Sequence, residues 1–328
     1  MAKRLAAYVV VLFAATLINF VIPRLIPGDP IRVVIARLEM RGRQGFSEDL
    51  VLQYTHMFGL DKDLFTQFTN YMTQMLRGNL GLSISWFPSS VQEVIGRALP
   101  WTLYLMFTSV IISWVIGNVL GAIIGWQRDS KLARAILPAA LVLGTIPYYM
   151  LAISLAFFFA YTIPLFPATG SSSIGIIWHG ISLGYIADLI WHSVLPVLSI
   201  VISSVGWWMM SMKAMIANVL GEDYIMLARA KGMKTSVILR KYALRNALLP
   251  QVTGLAMTIG QTMSGALLTE VVFAYPGLGW LLYNAITNLD YPVIQGVVLL
   301  IIFTISTAVL LMDLLYPIID PRIRYGEK

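Results

Sequence analysis

Six stretches of this chain are mostly apolar over about 20 residues or more, the length needed to cross the hydrocarbon core of a bilayer. They are roughly Leu5–Ile26, Trp101–Trp126, Ala135–Tyr161, Ile190–Met212, Leu248–Phe273 and Val293–Ile318. No other property narrows the fold so far. Hydrocarbon offers no water to a bare amide, so segments that cross it must close their backbone hydrogen bonds within themselves, as helices. The expected fold class is an all-α membrane protein with six transmembrane helices. Composition agrees: 58% of residues are apolar and only 12% charged, where a soluble domain carries about twice that charge.

The formal net charge of +7 invites a nucleic-acid reading until the cations are placed. Lys3, Arg4, Arg128, Lys131, Arg134, the seven from Lys213 to Arg245, and Arg322, Arg324 and Lys328 fall in alternate connections. The intervening loops Thr162–Leu189 and Ala274–Pro292 contain no Lys or Arg, and the remaining cations fall mainly in Pro27–Pro100, a stretch too long for the topology rule to bind. The alternation is the pattern of membrane topology, and it predicts cytoplasmic N- and C-termini, with membrane lipid and not nucleic acid as the partner of the charge. The first apolar run follows Lys3-Arg4, as in a signal peptide. Leu5–Ile22 is too long for such a core and no small-x-small site precedes Pro23, so a retained anchor is expected. With no cysteine there is no disulfide framework, thiolate nucleophile or cysteine metal site.

The chain therefore divides into a first span (1–26), an extracytoplasmic segment (27–100), a five-helix core (101–318) and a short cytoplasmic tail (319–328). Within 27–100, Ser47 ahead of Glu48 and Asp49 suits a helix start, and Phe58-Gly-Leu-Asp61 a stop followed by a new start. Leu64, Phe65, Phe68, Tyr71, Met72, Met75 and Leu76 form an apolar stripe. Short amphipathic helices on the outer membrane face fit this better than an independent domain.

No catalytic constellation is visible, and no enzyme activity is expected. There is no Gly-rich phosphate loop ending in Gly-Lys-Ser/Thr, and His56, His179 and His192 are scattered without metal-ligand partners. Gly117, Gly121 and Gly125 share one helix face, where small residues let helices approach closely, either as routine packing or as a movable contact. Pro138, Pro147, Pro196 and Pro250 mark expected kinks. Glu270 and Asp313 lie near span ends and are expected to be hydrated, which argues against a coupling-ion carrier. The outer aromatics Trp178, Tyr185, Trp191 and Trp280 suit an interfacial belt, with sugar contacts as the alternative.

The cytoplasmic segment 213–249 stands apart. Asp223–Ala230 is rich in helix formers, with acid at its start and Arg229 and Lys231 toward its end, as the helix dipole prefers. Gly232 can take the left-handed backbone that ends a helix, and a second amphipathic helix is expected over about Thr235–Leu249. A helix–Gly–helix module is more ordered than an orientation signal requires.

Ala228-Arg-Ala-Lys-Gly232 followed by Tyr242-Ala-Leu-Arg-Asn-Ala-Leu-Leu-Pro250 resembles the cytoplasmic loop of permease subunits of binding-protein-dependent ABC importers. The resemblance is to the B-type subunit of the dipeptide/oligopeptide/nickel group and covers nearly the whole chain. Leu25-Ile-Pro-Gly-Asp-Pro30, Phe58-Gly-Leu-Asp-Lys62, Gly78-Asn-Leu-Gly81, Glu270-Val-Val-Phe-Ala-Tyr-Pro-Gly-Leu-Gly279, Asp290-Tyr-Pro-Val-Ile-Gln-Gly296 and Asp320-Pro-Arg-Ile-Arg324 carry it in order. The chain departs from the general importer signature at Met226-Leu-Ala228, where Glu-Ala-Ala is usual, and reaches Leu249-Pro250 later than usual.

The resemblance implies a type I ABC importer permease fold and a translocation pathway shared with a second, homologous permease. It also implies two ATPase subunits, which bind ATP and magnesium so that this chain needs no cofactor, and an extracytoplasmic binding protein that delivers the cargo. It makes Asp223, Tyr224, Ala228, Arg229, Ala230, Lys231 and Gly232 the coupling helix that docks on an ATPase. Peptides are the expected cargo, with oligosaccharides or nickel chelates as alternatives. An ATP-independent channel or scaffold is the reading from a different class.

Overall fold

The computed structural model describes residues 2–40, 48–127, 130–173, 182–261 and 267–319. Ser47, Arg128, Trp178, His179 and the tail beyond Ile319 with its Asp320–Arg324 motif lie outside the described residues, as does the side chain of Asp313.

Fourteen helices carry the described chain: α1 (Ala2–Leu25), α2 (Pro30–Met40), α3 (Glu48–Met57), α4 (Leu64–Leu76), α5 (Val91–Trp126), α6 (Lys131–Thr145), α7 (Tyr148–Ala156), α8 (Leu183–Val219), α9 (Asp223–Ala230), α10 (Thr235–Val237), α11 (Leu244–Gln261), α12 (Leu267–Val272), α13 (Leu278–Thr287) and α14 (Tyr291–Ile319). Four of them contain stretches long and apolar enough to span a membrane: Arg4–Leu25, Val91–Trp126, Leu183–Val219 and Tyr291–Leu311. A fifth crossing arises if α6 and α7 count as one. Contacts separate two units, Met1–Trp101 with Pro276–Lys328, and Thr102–Tyr275.

In the first unit α1 and α14 run antiparallel. The Tyr8 hydroxyl lies 2.9 Å from Thr307 Oγ1, and eleven residues later Asn19 Nδ2 donates to the Gln295 carbonyl at 2.9 Å. The Pro-Gly-Asp-Pro turn after α1 is a helix start. Asp29 Oδ1 accepts from Ile31 N at 2.9 Å, and Pro30, which has no N–H to lose, takes the first helical position. The apolar stripe of α4 is only half covered: Phe68 packs edge-on against Phe20 at 5.1 Å, while Leu64, Phe65 and Leu76 stay exposed. The cap of α4 is Asp63, two residues beyond the expected Asp61. It accepts from the Thr66 hydroxyl (2.6 Å) and the Thr66 N–H (3.0 Å), which hold its carboxyl below the usual range. Asp61 instead accepts from His56 Nδ1 at 2.8 Å.

Asp290 anchors the start of α14. It is fully buried and accepts from Ser83 Oγ (2.6 Å), Ser85 N (2.8 Å) and Val293 N (3.3 Å). The 83–85 turn and the helix thus share one carboxylate. Around it the first turns of α5 (Val91, Val94, Ile95), α13 (Leu278, Leu281, Ala285) and α14 (Val293, Ile294, Val297) form an apolar core.

The second unit is built on α8. Gly117 meets Val205 and Trp208, Gly121 meets Met209 and Met212, and Gly125 meets Lys213 and Ile216. Residue numbers rise together along both helices, so α5 and α8 run parallel. A methyl added at Gly125 would lie 2.9 Å from Ile216 Cβ, and one at Gly121 would overlap the Met209 carbonyl. On another side of α8, Gly206 receives α6: a methyl there would sit 2.6 Å from the Ala140 carbonyl oxygen. That contact was not singled out in the sequence. Helix α11 joins antiparallel, with Gln251 Nε2 donating to Ser211 Oγ at 2.8 Å and Gln251 O accepting from Trp114 Nε1 at 3.1 Å. Hydroxyls inside the helices turn back to their own backbone, as Ser109 does to Leu105 O and Ser193 to Leu189 O.

Two expectations for spans change. Ala135–Tyr161 is not one straight crossing but two helices bent by 97°. Pro147 has no N–H and pushes the residue before it out of helical backbone; Ile146 is extended (φ −79, ψ 124). The Ile146 carbonyl is met at 3.2 Å by Ser203 Oγ. Pro138, Pro196 and Pro250, expected to kink, lie inside α6, α8 and α11. The span expected at Leu248–Phe273 is described as α11 and α12, with 262–266 outside the described residues.

The glycine contacts generate a stability prediction. Gly121→Leu should lower the thermal midpoint and membrane yield, since overpacking a close helix contact costs about 1–3 kcal/mol or more. Gly96→Ala on the same helix meets nothing within 4 Å and should be neutral or stabilising by up to about 1 kcal/mol. A parental midpoint for Gly121→Leu would mean that α5 and α8 are not in contact along this stripe.

Candidate functional site: the helical hairpin after α8

Helix α9 starts at Glu222, whose extended backbone (φ −77, ψ 144) lets its carbonyl accept from Ile225 N at 3.0 Å. The helix ends in a doubly bonded left-handed cap. Gly232 N donates to Arg229 O at 2.9 Å and Met233 N to Ala228 O at 3.3 Å, with Gly232 at φ +67. This pair of bonds is the Schellman arrangement, which requires a residue that tolerates positive φ. The chain then enters α10, one π-helical turn (Ile238–Ala243) and α11. The expected second amphipathic helix is therefore longer than expected and runs into the next apolar segment.

The hairpin has its own core. Ile225 and Ala228 are buried against Met212, Ile216, Ile238, Ala243 and Ala247. Tyr224 adds a polar tie, its hydroxyl accepting from Asn246 Nδ2 at 2.9 Å. Two of the seven residues assigned from the resemblance therefore serve packing: Ala228 is 4% exposed and Tyr224 half-buried. Asp223, Arg229, Ala230, Lys231 and Gly232 are exposed.

The outward face carries two residues that the sequence marked only as a departure from the importer signature and not as docking residues. Met226 and Leu227 are 58% and 57% exposed. With Asp223 and Ala230 they occupy positions i, i+3, i+4 and i+7 of one helix, a single face. Arg229 and Lys231 flank it, and neither makes an ion pair among the described residues. Met226 and Leu227 thus form an exposed apolar pair on the side of α9 opposite the buried Ile225 and Ala228.

The other polar groups singled out in the sequence occupy separate places. His192 is buried, 7% exposed. Its Nδ1 donates to the Asp188 carbonyl at 2.9 Å and lies 3.4 Å from Asp188 Oδ1. Asp188 also accepts from Ser173 N and Oγ at 2.6 and 2.8 Å. So a carboxylate does accompany this histidine, one helical turn back, where it ties the 173 loop to α8. Glu270, expected to be hydrated, is fully buried; just after it the chain turns back, with Tyr275 N donating to the Glu270 carbonyl at 2.8 Å. Trp191 packs on Phe166 at 4.4 Å and Trp280 on Tyr283 at 5.8 Å.

Residues 117–325 match the family described as binding-protein-dependent transport system inner membrane component. The chain belongs to that family, and is thus a permease subunit of an ABC importer. Along almost its full length it is similar to named permeases. It is 31% identical to the dipeptide transport system permease protein DppB of Escherichia coli, over 99% of this chain and 98% of that one. It is 30% identical to the di/tripeptide transport system permease protein DppB of Pseudomonas aeruginosa, with the same coverage. Identity to the oligopeptide transport system permease protein AppB of Bacillus subtilis is 29%, over 98% of this chain and all of the other.

The two faces of α9 should separate experimentally. Ile225→Ala should destabilise the hairpin by about 2–5 kcal/mol through the cavity it leaves. Met226→Ala and Leu227→Ala should change stability by no more than about 0.5 kcal/mol. Hydrogen exchange of the α9 amides reads both. Equal loss of protection in all three variants would mean that the outward pair is structural.

Proposed function

We propose that this chain forms half of the translocation pathway of an ATP-driven peptide importer and takes its power stroke through α9. The observation that carries the reading is the outward face of Met226, Leu227 and Ala230, edged by Arg229 and Lys231. In this reading the face seats in a groove of an ATPase subunit. Two such subunits, which hold ATP and magnesium, draw together on binding nucleotide and push the coupling helices of this chain and of a second, homologous permease. The pathway then turns from inward- to outward-facing, to receive cargo from an extracytoplasmic binding protein. The left-handed glycine cap of α9 and the core that packs it against α8 and α11 support a hairpin stiff enough to transmit such a push. Peptide cargo follows the names of the similar permeases, which print dipeptide, di/tripeptide and oligopeptide transport.

The same reading gives six crossings of the inner membrane with both termini cytoplasmic. The antiparallel α1–α14 pair, the parallel α5–α8 pair and the antiparallel α8–α11 pair support that alternation, and the loops without Lys or Arg support the sidedness. Cysteines introduced at Ser172 and Ser130 test it on intact cells with an impermeant thiol reagent. Ser172→Cys should label and Ser130→Cys should not; the reverse pattern would invert the orientation.

Coupling is tested in proteoliposomes holding the assembled importer, with labelled dipeptide and binding protein present. The parent should take up dipeptide only with ATP. Gly232→Val should insert and assemble but hydrolyse ATP with little uptake, because a β-branched residue at positive φ costs about 1–2 kcal/mol and tilts the docked helix. Its Cβ would meet nothing within 4 Å, so the defect is one of backbone conformation. Gly232→Asn, which tolerates that backbone, should stay near parental. Arg229→Glu should weaken ATPase co-purification. Parental assembly and uptake in both Gly232→Val and Arg229→Glu would remove the coupling assignment.

A further inference from the structure

A cavity of about 490 Å³ lies in the first unit, walled by the facing ends of α1 and α14, by α4 and by the turns around 56–62 and 78–84. Its volume falls within the range of about 300–1,000 Å³ typical of small-molecule sites. The charge on its walls is one-sided. Arg24, Lys62 and His56 line it, and no aspartate or glutamate does. His56 is already matched by Asp61, which leaves two cations.

The hydrogen-bond partners of Arg24 are all neutral, and the nearby Asp29, which lines an adjoining cavity with it, pairs with Arg32 at 3.4 Å. Arg24 Nη1 donates to the Phe20 carbonyl at 2.8 Å, and Nε and Nη2 donate to Gln67 Oε1 at 3.1 and 3.0 Å. The guanidinium rests 3.6 Å from the Phe20 ring centroid. These contacts hold the side chain in place and supply no counter-charge. The same wall contains Gln295, only 5% exposed, whose Nε2 meets no acceptor among the described residues. Beside it the Tyr71 hydroxyl is pushed up to about 12 by burial and stays a neutral O–H donor. A buried amide donor left without an acceptor is costly.

We propose that this cavity binds a small oxyanion, a carboxylate or phosphate group, held by Arg24 and Lys62 with the Gln295 amide as the buried donor. A carboxylate or phosphate oxygen answers each feature: it takes the remaining N–H groups of the guanidinium, compensates both charges and accepts from Gln295. The site lies wholly within the first unit, so it stands or falls independently of the coupling role of α9. The anion can come from solution or from a lipid headgroup, and the chemistry is shared.

The test uses the full chain in nanodiscs of phosphatidylcholine, followed by thermal unfolding. One arm titrates inorganic phosphate, then an N-acetylated dipeptide with a free carboxylate and the same dipeptide as its amide, against sodium chloride of equal ionic strength. A second arm replaces part of the lipid with phosphatidylglycerol and weighs retained lipid by native mass spectrometry. A rise in midpoint with phosphate or carboxylate but not with the amide supports a soluble anion. A rise with retained phosphatidylglycerol supports a headgroup. In whichever arm responds, Arg24→Gln should weaken apparent affinity at least about tenfold, the loss of a charge-assisted contact. Lys62→Gln should weaken it less, and Asn70→Asp, which adds a carboxylate at an exposed lining position, should weaken it as well. The latter two positions are exposed, so these variants report even if Arg24→Gln fails to fold. No response in either arm, or a response undiminished in Lys62→Gln and Asn70→Asp, overturns the proposal.

Discussion

Contact distance is the constraint on which the second unit depends. Helices in hydrocarbon gain nothing by expelling water from between them, so what remains is dispersion at close range and hydrogen bonds where polar groups meet. Helix α8 meets both demands. It takes the glycine face of α5 on one side and offers Gly206 to α6 on another, and its Ser211 and Ser203 bind Gln251 and the broken backbone at Ile146. The hydroxyls that find no neighbour turn back to the carbonyl one turn earlier. Backbone approaches this close leave little room to give, and a shift of one helix is passed to the next.

The hairpin after α8 follows the opposite rule. Here burial drives packing, and the short α9 is held by two buried residues, one phenol–amide hydrogen bond and a left-handed glycine cap. Those contacts occupy one side of the helix. The other side, with Met226 and Leu227, has no intramolecular reason to be apolar. The core of the hairpin is shared with Met212 and Ile216 of α8, so α9 and the spanning helix above it are parts of one packed body.

In the first unit two carboxylates do the organising. The exposed Asp29 starts α2 and the buried Asp290 joins the 83–85 turn to the start of α14, each matched by donors close at hand. The cavity around Arg24 has the reverse balance, with donors and cations but no acid. This contrast sets it apart from the polar contacts that merely close the fold.

Much of this was legible in the sequence because it follows from local pattern. Apolar runs, the absence of cations from the two short loops 162–189 and 274–292, the Gly117-Gly121-Gly125 face and the glycine that ends α9 are properties of neighbours along the chain, set by bilayer thickness and helix period. The bend at Pro147 follows from local chemistry as well, yet Pro138, Pro196 and Pro250 have the same chemistry and sit inside helices. The helix breaks at Pro147, where Ser203 meets the Ile146 carbonyl, and continues through Pro138, Pro196 and Pro250. Burial was likewise beyond the sequence. Glu270 reads as an interfacial carboxylate, yet packing buries it completely, and Ala228 reads as part of a docking surface, yet it lies in a buried cluster with Ile238 and Ala247. Periodicity says which residues share a helical face, and only the packing of distant segments decides whether that face meets protein, lipid or water.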